Sequence, residues 1–486
     1  MQNGYKKLML GVLCSSVLFL SACNDDNDSS ISTQKPTFIS EANYALDSVD
    51  SSSSIKVMTY NMTNVQGKIA EATALVLFPD APQPKDGYRI VVWEHGTVGA
   101  GDDCAPSKNV IHPRFKILAN SLLAAGYVIV APDYEGLGTK GVHPYLNLSS
   151  AAQSAIFAVK AAKAHYGTKL NGEWMSIGQS QGGHASLGTA EFANTDTSYK
   201  GAVAGAPASS LGQIIQIYLD PNLNVDTNGQ PNAQGLNRLD EQLMQVRYAV
   251  RMGQLTAAQG QMLISQIADG YAELLAYAAL TSSGIKAYEP NYDLKNIFTA
   301  DAGVIAEQAY GRTGDEGVCL SYSDPNSANG LQEQFKAGVL EFLKDSNHMI
   351  SQYGINLNKI QTDPVVQKFL LDNQPATNAT AAKVIKTPVY IIQGANDQAV
   401  LPPVTQALVA NMKLQATKYF PQADYSSKYE LDVVPNASHT QAIVCRNEKA
   451  VDFIQAHMPA GTGIVLTSAQ KDASTSPHCT GAAATN

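Results

Sequence analysis

The chain has 486 residues, enough for a catalytic domain that carries a large insertion or for two domains. Hydrophobic residues make up 44% and charged residues only 15%, which is typical of a globular protein and excludes a disordered one. The formal net charge is -9 and the sequence has no Lys/Arg cluster, so nucleic acid is excluded as a partner because phosphate binding requires such clusters.

The N-terminal segment has the pattern of an export signal and is left out of the fold prediction. Lys6 and Lys7 are positively charged, and the apolar run 8–20 is too short to cross a bilayer as a permanent helix. The run ends in Leu-Ser-Ala-Cys, which resembles the lipobox of bacterial lipoproteins; an ordinary signal peptide with a chance cysteine is the alternative. We therefore predict a signal peptide over 1–22 and a lipid anchor on Cys23 that attaches the exported chain to a membrane.

The residues after Cys23 bear on location and on mobility. Asn24 stands where an aspartate would favour the inner membrane in enterobacterial sorting, so the outer membrane is predicted, with the protein facing the periplasm or the cell surface. Residues 23–53 are rich in Asp, Asn, Ser and Thr and cannot bury a core. Their composition predicts a flexible tether.

Strand-like and helix-like runs alternate from residue 54 to about 209, which is typical of a mostly parallel sheet covered by helices. Strands are predicted at 55–60, 69–78, 88–93, 127–131, 173–177 and 201–205. Helices are predicted at 115–125, at 150–166 and after Gly182. This stretch is the first part of an α/β core.

The alternation stops between residues 210 and 385, where helical patterns such as 236–252 and 256–279 dominate. Strands resume at 388–393 and 429–434, with helices at 403–414 and 441–457. The simplest interpretation is one α/β core that is interrupted by a helical cap over 210–385. Residues 386–486 would then form the second part of the core and a C-terminal tail.

The segment from Gly178 to Gly182 reads Gly-Gln-Ser-Gln-Gly and matches the pattern G-x-S-x-G. In that pattern a sharp turn between a strand and a helix lifts the serine hydroxyl out of the sheet, and small glycines allow the close approach of the neighbouring elements. A predicted strand precedes the motif and a predicted helix follows it. We therefore predict Ser180 as a nucleophile; a glycine-rich turn with an incidental serine is the alternative.

A nucleophilic serine needs a base, and in this fold the acid and the base follow the serine along the chain. Asp397 lies at the carboxyl end of the predicted strand 388–393, where an orienting acid is expected. Its alternative role is to cap the next helix, and Asp220 is then the best substitute. His439 lies in a loop just after the strand 429–434 and is the predicted general base, unless it is a loop histidine without a role.

The tetrahedral intermediate of acyl transfer carries a negative oxygen that needs preorganised N–H donors. One predicted donor is the backbone of Gln181, directly after the nucleophile. The other is predicted at Thr97, in the loop after the strand 88–93, where Gly96 lets the chain turn closely. A plain glycine-rich turn is the alternative for that loop.

Four cysteines remain in the exported part of the chain outside the lipobox. An even number in an oxidising compartment predicts two disulfides, while a zinc site is the alternative. The four lie far apart and form no C-x-x-C spacing, so no metal and no cofactor are predicted. They are Cys104, Cys319, Cys445 and Cys479.

Several short motifs in a fixed order resemble the secretory lipase family of α/β-hydrolases, which includes the lipase-A-type yeast enzymes. The resemblance spans roughly residues 55–460, although the cap corresponds only in position and helical character. The motifs are His95-Gly96-Thr97, Cys104-Ala105-Pro106-Ser107, Asp133-Tyr134-Glu135-Gly136, His143-Pro144-Tyr145-Leu146 and Gly178-Gln179-Ser180-Gln181-Gly182-Gly183.

The resemblance implies an α/β-hydrolase fold with a helical cap and the hydrolysis of carboxylic esters, often triacylglycerols. It implies the same triad of Ser180, Asp397 and His439. It also implies a disulfide from Cys104 to Cys319 in the cap, which leaves Cys445 and Cys479 for the second. Cys445 follows His439, whereas the yeast enzymes have their cysteine just before the histidine. The resemblance therefore supports the second disulfide less directly than the first.

Three hypotheses for function follow. The first is a lipase or carboxylesterase that acts on acylglycerols or other acyl esters, as a monomer held to a membrane by its lipid anchor. The second is a serine peptidase on the same fold, which would need charged groups in the pocket to hold a peptide terminus. The third is an inactive binding lipoprotein, against which the complete set of Ser, Asp and His argues.

Overall fold

A computed structural model of the chain describes residues 37–224, 234–321, 329–376 and 380–481. The predicted signal peptide, the lipid anchor at Cys23 and residues 23–36 of the predicted tether lie outside these ranges. None of the helices in the described ranges is long and apolar enough to cross a membrane.

A single sheet carries the described strands, which alternate with helices along the first part of the chain as the sequence predicts. The strands are β1 (Phe38–Asn43), β2 (Ser52–Thr63), β3 (Ile69–Pro79), β4 (Tyr88–Glu94), β5 (Val128–Pro132), β6 (Leu170–Gln179), β7 (Tyr199–Gly205), β8 (Val389–Gly394) and β9 (Tyr429–Val434). Their spatial order is β1-β2-β3-β5-β4-β6-β7-β8-β9. The six strands from β5 to β9 in this order pair in parallel, whereas β1, β2 and β3 are added in antiparallel pairing.

Helices cover both faces of the sheet because consecutive strand residues point to opposite faces. On β4, Ile90 and Val92 pack towards the helices that begin at residues 148, 181 and 402, whereas Val91 packs towards the helices that begin at residues 113 and 447. The helices are α1 (Pro113–Ala125), α2 (Leu148–Tyr166), α3 (Gln181–Phe192), α4 (Leu211–Leu219), α5 (Arg238–Arg251), α6 (Ala257–Tyr288), α7 (Ala300–Ala306), α8 (Leu331–Phe342), α9 (Leu357–Thr362), α10 (Pro364–Asp372), α11 (Pro402–Tyr419), α12 (Gln441–Cys445), α13 (Asn447–His457), α14 (Ser468–Lys471) and α15 (Pro477–Thr480).

The prediction of a flexible tether over 23–53 is wrong for its second half. Phe38–Asn43 forms β1, the edge strand that pairs with β2, and β2 itself begins at Ser52. All side chains of β1 are at least partly exposed. An edge strand of this kind is held by backbone hydrogen bonds, so a polar composition does not prevent it.

The described residues between β7 and β8 form helices α4 to α10 and no strand, and we call this helical segment the cap. The cap has its own buried apolar cluster, which includes Leu243, Leu275 and Phe335 and extends to Tyr145 of the core. The longest helix, α6, continues nine residues beyond the predicted end at 279, to Tyr288. The cap boundaries at 210 and 385 stay predictions.

The predicted helix 441–457 is wrong in one respect, because it is broken at Arg446 into α12 and α13. The backbone at Arg446 leaves the helical region, with φ -110° and ψ 17°. Its guanidinium Nε donates to Asp432 Oδ2 on β9 at 2.8 Å, and the preceding Cys445 is in a disulfide with Cys479. These two tertiary links lie at the break and do not follow from the apolar period that predicts the helix.

Candidate active site

Ser180 lies in the turn between the last residue of β6 and the first residue of α3. Its backbone has φ 60° and ψ -117°, a conformation that costs energy for a residue with a side chain. A side chain at Gly182 would collide with the carbonyl of Glu94, and one at Gly178 with the carbonyl of Gly182. The two glycines therefore allow the turn that exposes the serine hydroxyl.

The structure brings Ser180, His439 and Asp397 together at the carboxyl ends of β6, β9 and β8. His439 Nε2 lies 2.8 Å from Ser180 Oγ, and His439 Nδ1 lies 2.8 Å from Asp397 Oδ2. Since an ionised carboxylate only accepts hydrogen bonds, Nδ1 carries a proton and Nε2 is free to accept the serine proton. The three side chains form a continuous path for one proton.

Asp397 is fully buried, and three further hydrogen bonds hold its carboxylate in place. Its Oδ1 accepts from the backbone N–H groups of Ala399 at 2.9 Å and Val400 at 2.8 Å. Its Oδ2 accepts from Gln393 Nε2 at 2.9 Å, and Gln393 Oε1 accepts from Thr405 Oγ1 at 2.6 Å. Sequence reasoning missed Gln393, although a glutamine at the end of an otherwise apolar strand was a usable signal.

Two opposing effects act on the pKa of His439. Burial disfavours the charged imidazolium and lowers the pKa, whereas the charge and hydrogen bond of Asp397 raise it. The net pKa is raised above the ordinary value of 6.5. His439 is therefore a stronger base than a free histidine, which suits a group that takes a proton from serine.

The two predicted donors for a negative oxygen flank Ser180. Gln181 is the first residue of α3, a position whose backbone N–H has no acceptor within the helix. The loop that contains Thr97 passes close by, since a side-chain carbon at Gly96 would lie 3.9 Å from Ser180 Cβ. The placement is compatible with both predicted roles, which stay predictions.

Side chains from the segment after β5 hydrogen-bond to Thr97 and Gln181, a link that sequence reasoning did not find. Thr97 Oγ1 and Tyr145 OH are hydrogen-bonded at 2.8 Å. Gln181 Nε2 donates to His143 Nε2 at 3.1 Å, and His143 Nδ1 donates to the Glu135 carbonyl at 2.8 Å. The motif residues His143 and Tyr145 thus hydrogen-bond to Gln181 and Thr97. The histidine that contacts the Ser180 hydroxyl is His439.

Asp220, the substitute acid, does not take part in this arrangement. It lies after α4, where its side chain accepts from the backbone N–H of Asn222 at 2.9 Å. His439 is bonded to Asp397 instead. Asp220 therefore caps the turn after α4, and Asp397 as the acid stays a prediction that this geometry fits.

The four cysteines form two disulfides. Cys104 is joined to Cys319, which connects the loop after β4 to the cap. Cys445 is joined to Cys479, which connects α12 to α15 near the C-terminus. Both pairs are those that the family resemblance implies, including the second pair, at which the sequence departs from the yeast enzymes.

A cavity of about 570 Å³ opens next to Ser180 and His439, a volume typical of small-molecule sites. We call it the Ser180 cavity. One wall belongs to the core and the other to the cap, and the lining combines apolar and charged side chains. Among its lining residues are Trp93, Thr97, Ile111, Arg114, Phe115, Leu118, Glu273, Tyr277, Leu320, Ile443 and Val444.

No protein-family model and no curated protein matches the sequence. The fold, however, is similar to solved structures. Candida antarctica lipase A has a TM-score of 0.56 and 15% identity, covering 92% of this chain and 89% of that chain. The same lipase in its closed state has a TM-score of 0.55 and 15% identity, with coverage of 91% and 90%.

The rice cell wall degrading esterase LipA from Xanthomonas oryzae is also similar, with a TM-score of 0.53 and 17% identity. The match covers 87% of this chain and 97% of that chain. Identities this low show a shared fold and no more. The predicted fold class is confirmed: the chain has an α/β-hydrolase fold, and its resemblance to lipase-A-type enzymes holds at the level of the fold.

Proposed function

We propose that the protein is a serine hydrolase that cleaves carboxylic esters, as a lipase or carboxylesterase. The observation that carries this proposal is the hydrogen-bonded path from Asp397 through His439 to Ser180, which opens into the Ser180 cavity. A side-chain set with this order and geometry activates a serine hydroxyl for attack on a carbonyl.

In the first step, Ser180 Oγ attacks the ester carbonyl carbon while His439 Nε2 takes the hydroxyl proton. The carbonyl oxygen becomes negative, and the N–H groups of Gln181 and Thr97 are the proposed donors to it. The intermediate collapses, His439 gives the proton to the leaving alcohol, and an acyl-enzyme remains. Water then repeats the sequence with His439 as the base, which releases the acid and restores Ser180.

The fold neighbours named as a lipase and an esterase support an ester as the substrate rather than another carbonyl compound. Acylglycerols or other acyl esters are the proposed substrates, bound by the apolar part of the cavity, which includes Trp93, Phe115 and Ile443. No cofactor enters the proposed reaction. The lipobox at Cys23 supports a lipid-anchored, exported protein that acts next to a membrane.

The test uses a soluble chain that starts after Cys23 and a series of p-nitrophenyl esters from acetyl to palmitoyl, then emulsified triglyceride. We expect Ser180→Ala to lower kcat by about 10⁴-fold or more, because the nucleophile is lost. Ser427→Ala is the matched control, because Ser427 is exposed and lies outside the site. The proposal would be contradicted if Ser180→Ala hydrolysed the esters as fast as the unaltered protein, or if the unaltered protein hydrolysed none of them.

The peptidase hypothesis has one observation in its favour. Charged side chains line the cavity, among them Arg114 and Glu273, and a peptide terminus could bind to such groups. Cleavage of p-nitroanilides in place of the matching p-nitrophenyl esters would support a peptidase. Labelling of Ser180 by a fluorophosphonate would exclude the inactive binding protein, since the reaction requires an activated serine.

A further inference from the structure

Arg114 occupies a fixed position on the core wall of the Ser180 cavity. It is the second residue of α1, and its backbone N–H donates to His112 Nδ1 at 3.2 Å. The neighbouring Phe115 stacks on Trp93 of β4 with 4.8 Å between the ring centroids. These contacts hold the start of α1 against the sheet, so the base of the Arg114 side chain is fixed on the wall of the cavity that Ser180 and His439 also line.

The guanidinium of Arg114 has no ion-pair or hydrogen-bond partner within the described residues. It is nonetheless partly removed from water, and this burial lowers its pKa. Lys116, two residues further along α1, shows the usual arrangement, because its ammonium pairs with Asp47 Oδ1 at 2.7 Å. Arg114 is half-buried, and its charge has no protein partner on the cavity wall, so it is a candidate for a partner that arrives with a ligand.

The other polar groups of the cavity do not neutralise Arg114. Burial, and then the charge of Arg114, lower the pKa of His112 to about 4, so this side chain is neutral at pH 7. The Glu273 carboxylate accepts a hydrogen bond from Tyr277 at 2.5 Å on the cap wall. Asp103 and Glu333 also line the cavity, and both are exposed, where water and salt screen their charges. Arg114 is the only lysine or arginine among the described residues that line the cavity.

The guanidinium lies close enough to the reacting groups to affect their charge states. Its charge lowers the pKa of His439, and it also interacts with the Tyr277 hydroxyl across the cavity. An anion bound to Arg114 would therefore lie inside the same cavity as the ester that Ser180 attacks. A guanidinium group binds a carboxylate through two parallel hydrogen bonds. These bonds are stronger and more directional than those to a neutral acceptor, so the guanidinium prefers a carboxylate.

We propose that Arg114 is a specificity-determining residue that binds a carboxylate of the substrate, so that the enzyme prefers esters whose acyl or alcohol part carries an anionic group. This inference rests on the proposed ester hydrolysis and narrows its substrate class. The carboxylate replaces the missing partner of Arg114 and fixes the ester carbonyl near Ser180. Neutral esters bind in the same cavity without this contact.

The experiment compares two matched substrate pairs. Monomethyl adipate and methyl hexanoate place the carboxylate in the acyl part, and 4-carboxyphenyl butyrate and phenyl butyrate place it in the alcohol part. For each pair we measure the ratio of kcat/KM for the anionic ester to that for the neutral ester. Dividing the ratio for the unaltered protein by the ratio for a variant removes the intrinsic reactivity of the esters.

We expect Arg114→Gln to lower this ratio by about 10- to 100-fold for at least one pair, which is the range for a lost charge-assisted hydrogen bond. Arg114→Lys keeps the charge without the planar fork and should give an intermediate ratio. Lys116→Gln removes a charge from the same helix outside the cavity and should leave the ratio unchanged. Fluorophosphonate labelling of each variant checks that the site is folded.

Equal ratios in the unaltered protein and Arg114→Gln for both pairs would overturn the inference, while Ser180-dependent turnover of the neutral esters would leave the proposed function in place. No Ser180-dependent turnover of any of the four esters would instead contradict the proposed function itself. A ratio that falls equally in Lys116→Gln would show a long-range effect of net charge and would also overturn the assignment to Arg114.

Discussion

The core and the cap present side chains to the same cavity but hold them in different ways. In the core, Ser180, Asp397 and His439 each follow a parallel strand, so the spacing of the sheet sets their separation. In the cap, Glu273 and Tyr277 lie one turn apart on α6, a helix of 32 residues that reaches the core through packed side chains. The sheet suits groups whose distances must stay fixed, and the helix suits groups that shape the binding space.

Hydrogen bonding strengthens this contrast. The Asp397 carboxylate accepts bonds from a side chain and two backbone groups besides His439, and it is fully buried. The Glu273 carboxylate accepts one from Tyr277 and is partly exposed. Changes in the core should therefore abolish the reaction, whereas changes in the cap should alter which substrates are used.

The largest expected effect is in the core, for Asp397→Asn. The amide would present a donor to His439 Nδ1, which would favour the wrong tautomer and leave Nε2 unable to accept the serine proton. We expect kcat to fall by about 10⁴-fold with little change in stability. Kinetics on a short-chain p-nitrophenyl ester measure the effect, and Asp220→Asn is the control. A loss below about tenfold would show that Asp397 does not orient the base.

The two disulfides test how strongly the cap depends on its covalent link to the core. Replacing Cys104 and Cys319 by serine should lower the free energy of unfolding by about 2 to 5 kcal/mol. Their sequence separation is 215, against 34 for Cys445 and Cys479, so the first pair should be worth ~1.6 kcal/mol more in a chain-entropy model. Thermal melting of both double variants shows which loss destabilises the protein more. A larger loss for the Cys445 and Cys479 variant would show that strain or residual structure outweighs chain entropy.

A buried acid beneath the Ser180 turn should make the core sensitive to alkaline pH. Glu94 is fully buried at the end of β4, and burial raises its pKa to about 8, although a hydrogen bond from Thr189 Oγ1 at 2.7 Å opposes this. The folded state keeps a proton that the unfolded state has lost above about pH 4.5, so the free energy of unfolding falls as pH rises from there to about 8.

Glu94→Gln removes this titration and can still accept the bond from Thr189. We expect it to raise the free energy of unfolding by roughly 2 to 3 kcal/mol at pH 8 relative to the unaltered protein, and by much less at pH 5. Urea denaturation at both pH values gives the difference. The exposed Glu430 provides the control, as Glu430→Gln. A difference that is the same at pH 5 and pH 8 would contradict burial of a protonated Glu94.

The smallest expected effect is in the cap. Tyr277→Phe removes the hydrogen bond to Glu273 and adds no volume, so the cavity wall loses one restraint. We expect kcat/KM to change by about 2- to 10-fold and the preferred acyl length to shift, since the bond contributes about 0.5 to 1.5 kcal/mol. Tyr288→Phe, at the exposed end of the same helix, is the control. An effect as large as that of Asp397→Asn would erase the distinction between core and cap.

The amino-acid sequence by itself determined the elements and residues that local rules govern. Periodicity places the strands β2 to β9 and most helices, because buried faces repeat every second or every third to fourth residue. The glycines around Ser180 and the order of serine, acid and base identify the three side chains that the structure brings together. Local patterns miss β1, because its strand is made by backbone pairing with β2 and not by its own side chains.

Only the tertiary structure decided the contacts between residues far apart in the chain. The hydrogen bonds of Gln393 with Asp397 and of Tyr145 with Thr97 depend on how loops and helices meet at the sheet edge. So does the position of the Arg114 guanidinium, which has no partner in the part of the chain that the structure describes. A sequence gives the type of each side chain, but the partner of a polar group depends on the folded path of the rest of the chain. For this protein the three side chains that meet at the sheet edge were therefore predictable from the sequence, whereas the contacts that hold them in place were not.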